Sequence, residues 1–203
     1  MLPRIMKKRS PLISVLASTA LIACGGGEPA QTSDSAGSSG PAAAPAAAPP
    51  PPTGEITMPS WFQVDNEART VSMTITAGST NENNYWNFNG ATKGAMTITV
   101  PEGYAVTVEL VNNDPIMAHS LGISTETSSF SGAPEPVPAF PGAMTSNPAS
   151  MMESTMPGQR ESIQFTVDQA GNYSMVCYIA GHALTGMWVY FNVSADGSVG
   201  VQQ

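Results

Sequence analysis

The stretch AMTITVPEGYAVTVEL, Ala95–Leu110, decides how the folded part of this chain is built. Met96, Ile98 and Val100 alternate with small or hydroxyl-bearing residues. After the turn formers Pro101, Glu102 and Gly103, the residues Val106, Val108 and Leu110 alternate again. Side chains on a strand point to opposite faces in turn, so a period of two with one apolar face is the pattern of a half-buried strand. The same rhythm returns in Ile163, Phe165 and Val167, and in Met187, Val189, Phe191 and Val193 alternating with Trp188 and Tyr190. Turn residues separate the runs, at Asn112-Asn113-Asp114-Pro115 and from Asp168 to Asn172. No long stripe at helical spacing lies between them. Residues 55–203, about 150, suffice for one domain with a real core, and the expectation is an all-β, antiparallel Greek-key sandwich of about seven or eight strands.

One segment breaks the rhythm. Residues 125–160 are rich in proline, without alternation, and carry Met144, Met151, Met152 and Met156. A loop of this length in a compact domain is usually functional or disordered. Its thioethers either fill space beneath a long loop or take up Cu(I), so copper storage or delivery is the alternative function.

The front of the chain has a different character. Arg4, Lys7, Lys8 and Arg9 precede an apolar run from Pro11 to Ala23 that is shorter than the roughly 20 residues of a spanning helix. Residues 1–23 therefore read as a signal peptide. The run ends Leu21-Ile22-Ala23-Cys24, which resembles the lipobox of bacterial lipoproteins, with cleavage before Cys24 and a lipid on its thiol. Residues 24–54, rich in Gly, Ser, Ala and Pro, have too little apolar content to fold and read as a disordered linker. The expected location is the cell envelope, lipid-anchored to a membrane on its periplasmic or extracellular face. Without the signal peptide only Arg69, Lys93 and Arg160 remain against fifteen acids, which argues against nucleic acid as a partner.

The chain has two cysteines and two histidines. If Cys24 is lipidated, Cys177 is a lone thiol in an oxidising compartment, which points to a specific use such as metal ligation. It opens CYIAGHALTGMW, Cys177–Trp188, where Cys177, His182 and Met187 follow one another at intervals of five. Composition alone would produce that spacing about once in a thousand such chains. Two imidazoles, one thiolate and a weak axial thioether form the ligand inventory of blue-copper electron-transfer sites. The second imidazole has one source, His119, in NNDPIMAHSLGIS after the strand that ends at Leu110. Structural zinc would favour more Cys or His, catalytic zinc would not use a thioether, and attached haem would need a CxxCH motif. A second copper centre has no histidines to build it, so an enzyme of the oxidase kind is disfavoured.

CYIAGHALTGM resembles the C-terminal ligand loop of cupredoxins, with the long spacing found in rusticyanin and sulfocyanin. Trp86-Asn87-Phe88-Asn89-Gly90, Gly94, AMTITVPEGY and AHSLGI resemble the sulfocyanin pattern specifically, and the likeness spans most of residues 70–193. It implies a cupredoxin sandwich holding one type 1 copper, with His119, Cys177 and His182 as equatorial ligands and Met187 as axial ligand. It also implies that Ser120 hydrogen-bonds across to the Cys177 loop. Function would then be one-electron transfer between redox proteins of a respiratory chain, a cytochrome or a terminal oxidase. An apolar rim of Ile116, Met117, Ala180, Ala183 and Leu184 around the edge of His182 would serve as the exit. Two features depart from the pattern: Ala180 replaces a proline common in relatives, and the 125–160 segment matches no motif.

Overall fold

The computed structural model describes residues 49–125 and 127–203. The proposed signal peptide, Cys24 and the linker up to residue 48 lie outside the described residues. Among those described, no helix is long and apolar enough to cross a membrane.

Among the described residues, nine strands form two packed sheets. One sheet has the order β1-β2-β4-β6, from Phe62–Asp65, Thr70–Ala77, Ala105–Asn112 and Arg160–Thr166. The other has the order β5-β7-β8-β3-β9, from Gly122–Ser124, Gly171–Val176, Trp188–Ser194, Thr97–Pro101 and Gly200–Gln202. The alternating residues meet between the sheets: Val71, Met73, Ile75, Val106, Val108, Leu110 and Phe165 from the first, Ile98, Val100, Met175, Val189 and Phe191 from the second. All are buried, as a period-two pattern with one apolar face requires.

The expectation of a wholly antiparallel sandwich is corrected. β2 runs parallel to β4, with Met73 opposite Val108, and β3 runs parallel to β8, with Ile98 opposite Phe191. The cause lies in the opening stretch itself. Its two strands, β3 and β4, do not form a hairpin across Pro101–Gly103 but step from one sheet to the other, so each finds a partner distant in sequence. Parallel neighbours need long connections, and these strands have them.

Arg160 already belongs to β6, and residues 127–159 add no strand to either sheet, yet they are built into the domain. Phe130, Phe140 and Ala143 are buried, and the Ala143 carbonyl accepts a bond of 2.9 Å from Ile123 N. Thr145 N donates to the Leu121 carbonyl, and His119 and Thr155 exchange both backbone bonds, at 3.0 and 3.1 Å. The segment thus lies as an extra edge along the chain from His119 to Ile123. Of its methionines, Met144 is partly buried against the cluster of Tyr178 and Trp188, whereas Met151 and Met152 are exposed.

Candidate metal centre

Cys177 follows β7 directly, and Met187 precedes β8, so the two strands hold the ends of the loop between them. Cys177 N donates to the Met187 carbonyl at 3.2 Å, and Met187 N donates to the His182 carbonyl at 2.9 Å. His182 opens a single helical turn, α1 (His182–Thr185), bounded by Gly181 and Gly186 at φ of 86° and 118°. Those positive values are left-handed backbone that suits glycine. The tight turn brings His182 back over Cys177 after five residues. Ala180 is exposed and outside these bonds, so the loop closes without a proline there.

His119 arrives from the other side, fixed by its paired bonds with Thr155. The ligating atoms of His119, Cys177 and His182 lie within 4.8 Å of one another, and all three residues are fully buried. Both histidines turn the same atom inward: the Cys177 Sγ is 3.5 Å from His182 Nδ1 and 3.9 Å from His119 Nδ1. Met187 is fully buried in the same hydrophobic cluster as Cys177. Ser120 sits beside the thiol, its N–H 3.4 Å and its Oγ 3.6 Å from Sγ, while its Oγ accepts a bond of 2.8 Å from Tyr178 N.

Two further residues belong to the site, and sequence reading assigned neither a role in it, although Trp86 opens the stretch Trp86–Gly90 quoted above. Asp114 is buried, and its Oδ2 lies 2.9 Å from His119 Nε2. An ionised carboxylate can only accept, so Nε2 carries the proton and Nδ1 keeps its lone pair for a metal. Its other oxygen accepts from Ile116 N at 2.9 Å and Met117 N at 3.0 Å. Burial pushes the Asp114 pKa up, but these two N–H bonds and the His119 contact outweigh it and hold the carboxyl below its ordinary value. The signal available in the sequence was a carboxylate in the Asn-Asn-Asp-Pro turn, five residues before the histidine. Trp86 is the second: its ring stacks on His182 with centroids 3.9 Å apart and planes 19° from parallel.

Protonation suits metal binding. Burial, then the neighbouring His119, push the His182 pKa down to about 3 against the opposing pull of Asp114. Burial also lowers that of His119, opposed by Asp114. Both rings are therefore neutral near pH 7. Burial raises the Cys177 pKa, partly offset by the Ser120 and Ile179 N–H groups and the Ser120 hydroxyl. A buried thiolate needs a compensating charge, and a cation held between the two Nδ1 atoms and Sγ supplies it. The donor set is soft and nitrogen-rich, with the His119 tautomer set by Asp114, and it fits copper.

The apolar rim is altered in two respects. Ile116, Ala180 and Leu184 are exposed and Met117 partly so, but Ala183 is buried, and His182 has no exposed edge and carries Trp86 stacked on its face.

Residues 58–202 match the family model described as the Sulfocyanin (SoxE) domain. A sulfocyanin of Sulfolobus acidocaldarius is 31% identical over 140 residues, covering 64% of this chain and 69% of that protein. Among solved structures, rusticyanin from Thiobacillus ferrooxidans is similar at 20% identity and a TM-score of 0.44, over 66% of this chain and 86% of that one. The reduced auracyanin of Roseiflexus castenholzii is similar at 22% identity and a TM-score of 0.43, over 61% and 96%.

Proposed function

Because the chain belongs to the sulfocyanin family of blue copper electron carriers, we propose that it is a lipid-tethered member that relays single electrons at the outer face of a membrane. The observation that carries the electron-transfer reading is the convergence of two histidine Nδ1 atoms on one buried thiol, with a buried methionine on the same loop. One type 1 copper supplies, when bound, reversible one-electron exchange between Cu(II) and Cu(I). His119, Cys177 and His182 would hold it, with Met187 as a further, weak donor.

The remaining work is done by the protein. Asp114 holds the His119 ring in one tautomer and orientation. Ser120 directs an N–H at the thiolate sulfur and ties the loop down through Tyr178 N. The paired strands β7 and β8 pin both ends of the ligand loop, so the donors keep their places when the charge of the site changes by one. No substrate chemistry is needed for this role.

The tether is supported by the lipobox-like Leu21–Cys24 and by the length and composition of residues 24–54. The acidity of the exported chain suits docking on basic redox partners of a respiratory chain, such as a cytochrome or terminal oxidase. Exposed Ile116 and Leu184, beside the two ligand segments, would supply the apolar part of such a contact.

The test is the absorption and paramagnetic resonance spectrum of the copper-loaded full chain through cycles of reductant and oxidant. A blue thiolate-to-copper band that bleaches and returns, and that shifts in Met187→Leu, is the expected result. Cu(I) uptake without any blue species, lost on replacing Met151 and Met152, would transfer the assignment to copper handling. Cys24→Ala should release the protein from the membrane fraction; retention there would refute the tether.

A further inference from the structure

Trp86 has a place at this site that the ligand set does not explain. Its indole lies against the His182 imidazole at 3.9 Å between centroids, and nothing of His182 reaches solvent. The outer nitrogen of that ring, Nε2, is enclosed, and no protein atom among the described residues bonds to it. Trp86 itself is partly exposed and packs on the main core. The indole therefore covers one face of the His182 ring.

The backbone that presents Trp86 is unusual in its own right. Asn83, Asn84 and Tyr85 have φ of 50°, 58° and 66°, three consecutive left-handed residues without a glycine. Asparagine tolerates that region, but tyrosine rarely adopts it. Such strain persists only where the surroundings over-determine it. Here Asn83 Nδ2 donates to the Trp86 carbonyl at 2.9 Å, and Trp86 N donates back to the Asn83 carbonyl at 3.1 Å. The buried Asn87 then ties the turn from below, its Nδ2 reaching the Thr80 and Glu82 carbonyls, both at 2.9 Å. A turn held this way delivers one side chain, and that side chain covers one ligand.

We propose that Trp86 is a positioning residue of the copper centre: it holds the plane of the His182 ring and shields one face of it with an apolar surface. The proposal rests on the copper reading above. An apolar cover raises the cost of the more highly charged state of a buried site, so it favours Cu(I). It also resists swinging of the imidazole away from the metal.

Four measurements on the full chain test this. In the metal-free protein, the His182 ring protons should resonate upfield through the indole ring current and move downfield in Trp86→Ala. With copper, Trp86→Ala should keep the blue band but favour Cu(II) by about tenfold more than the wild type, a fall in potential of ~59 mV. The reduced variant should surrender copper to bathocuproine about tenfold faster, because an exposed histidine ligand leaves more readily. Trp86→Phe, which keeps a stacked ring, should restore both values. Wild-type potential and chelator rate in Trp86→Ala, or failure of phenylalanine to restore either, would overturn the proposal. If Trp86→Ala does not fold, Trp86→Leu should move both values the same way by less, and no movement would overturn it. Absence of any blue centre in the wild type would sink the copper reading instead, while the metal-free spectrum still reports the stacking.

Discussion

Replacing Asp114 by asparagine changes no volume and removes one charge, so it isolates what that carboxylate does. In the wild type its oxygens accept three bonds, from Ile116 N, Met117 N and His119 Nε2, at 2.9 to 3.0 Å. Asparagine offers one oxygen and one NH2 group. Whichever way the amide turns, an N–H faces another N–H, either on the ring or on the backbone. The loss of a charge-assisted bond in a buried place, with a donor left unpaired, is worth about 2–3 kcal/mol of stability. A second consequence concerns the metal. The Asp114 oxygen is 2.9 Å from the far nitrogen of His119, and one imidazole and one metal–nitrogen bond further bring it to roughly 7 Å from the bound ion. At an effective dielectric constant of about 20, a unit charge at that range contributes roughly 2 kcal/mol in favour of Cu(II), or on the order of 90 mV for one electron. Asp114→Asn should therefore raise the reduction potential by tens of millivolts while lowering the urea midpoint of the metal-free protein. Voltammetry and chemical denaturation read the two effects separately. An unchanged or lowered potential with an intact blue band would refute the reasoning, because the charge would then be shown to act only through structure.

Three other outcomes follow from the same geometry. Ser120→Ala removes the acceptor of Tyr178 N and a hydroxyl 3.6 Å from Sγ; thermal melts should show a loss of about 1–2 kcal/mol, with a shift of the blue band. Gly78→Ala would place a Cβ 2.7 Å from the Asp114 backbone nitrogen, at a φ of 67°. It should cost about 2–4 kcal/mol and weaken copper binding through Asp114, measured by melts and copper titration. The metal-free protein should lose stability as pH falls from about 6.5 toward about 3, because the unfolded chain takes a proton on His182 there while the folded one does not. His119 acts in the same sense, and the Asp114 contribution is lost only below its ordinary 3.8. Urea midpoints at pH 7 and pH 4.5 check this, and equal midpoints would contradict it.

Much of this protein is written in local pattern. Strand character at Met96–Val100 and Val106–Leu110 follows from alternation, since burial of one face is a property of the segment itself. The ligands Cys177, His182 and Met187 are likewise close in sequence, and one loop with two glycines sets their spacing. His119 was reachable because no other histidine competed. Strand partnership was not local: two adjacent strands of similar pattern entered different sheets, and only the packing of the two layers made them parallel to β2 and β8. The residues around the ligands were hidden for the same reason. Asp114 in a turn looks solvated until the fold buries it under Gly78 and aims it at His119, and Trp86 lies 96 positions before His182. The sequence by itself determined a sandwich-forming chain and the donor atoms of its metal loop, because strand alternation and loop spacing are read within a dozen residues. Tertiary structure alone decided the tautomer of His119, the neutrality of His182 and the indole that covers it. Each of these is a matter of burial and contact between segments that meet only when the sheets close.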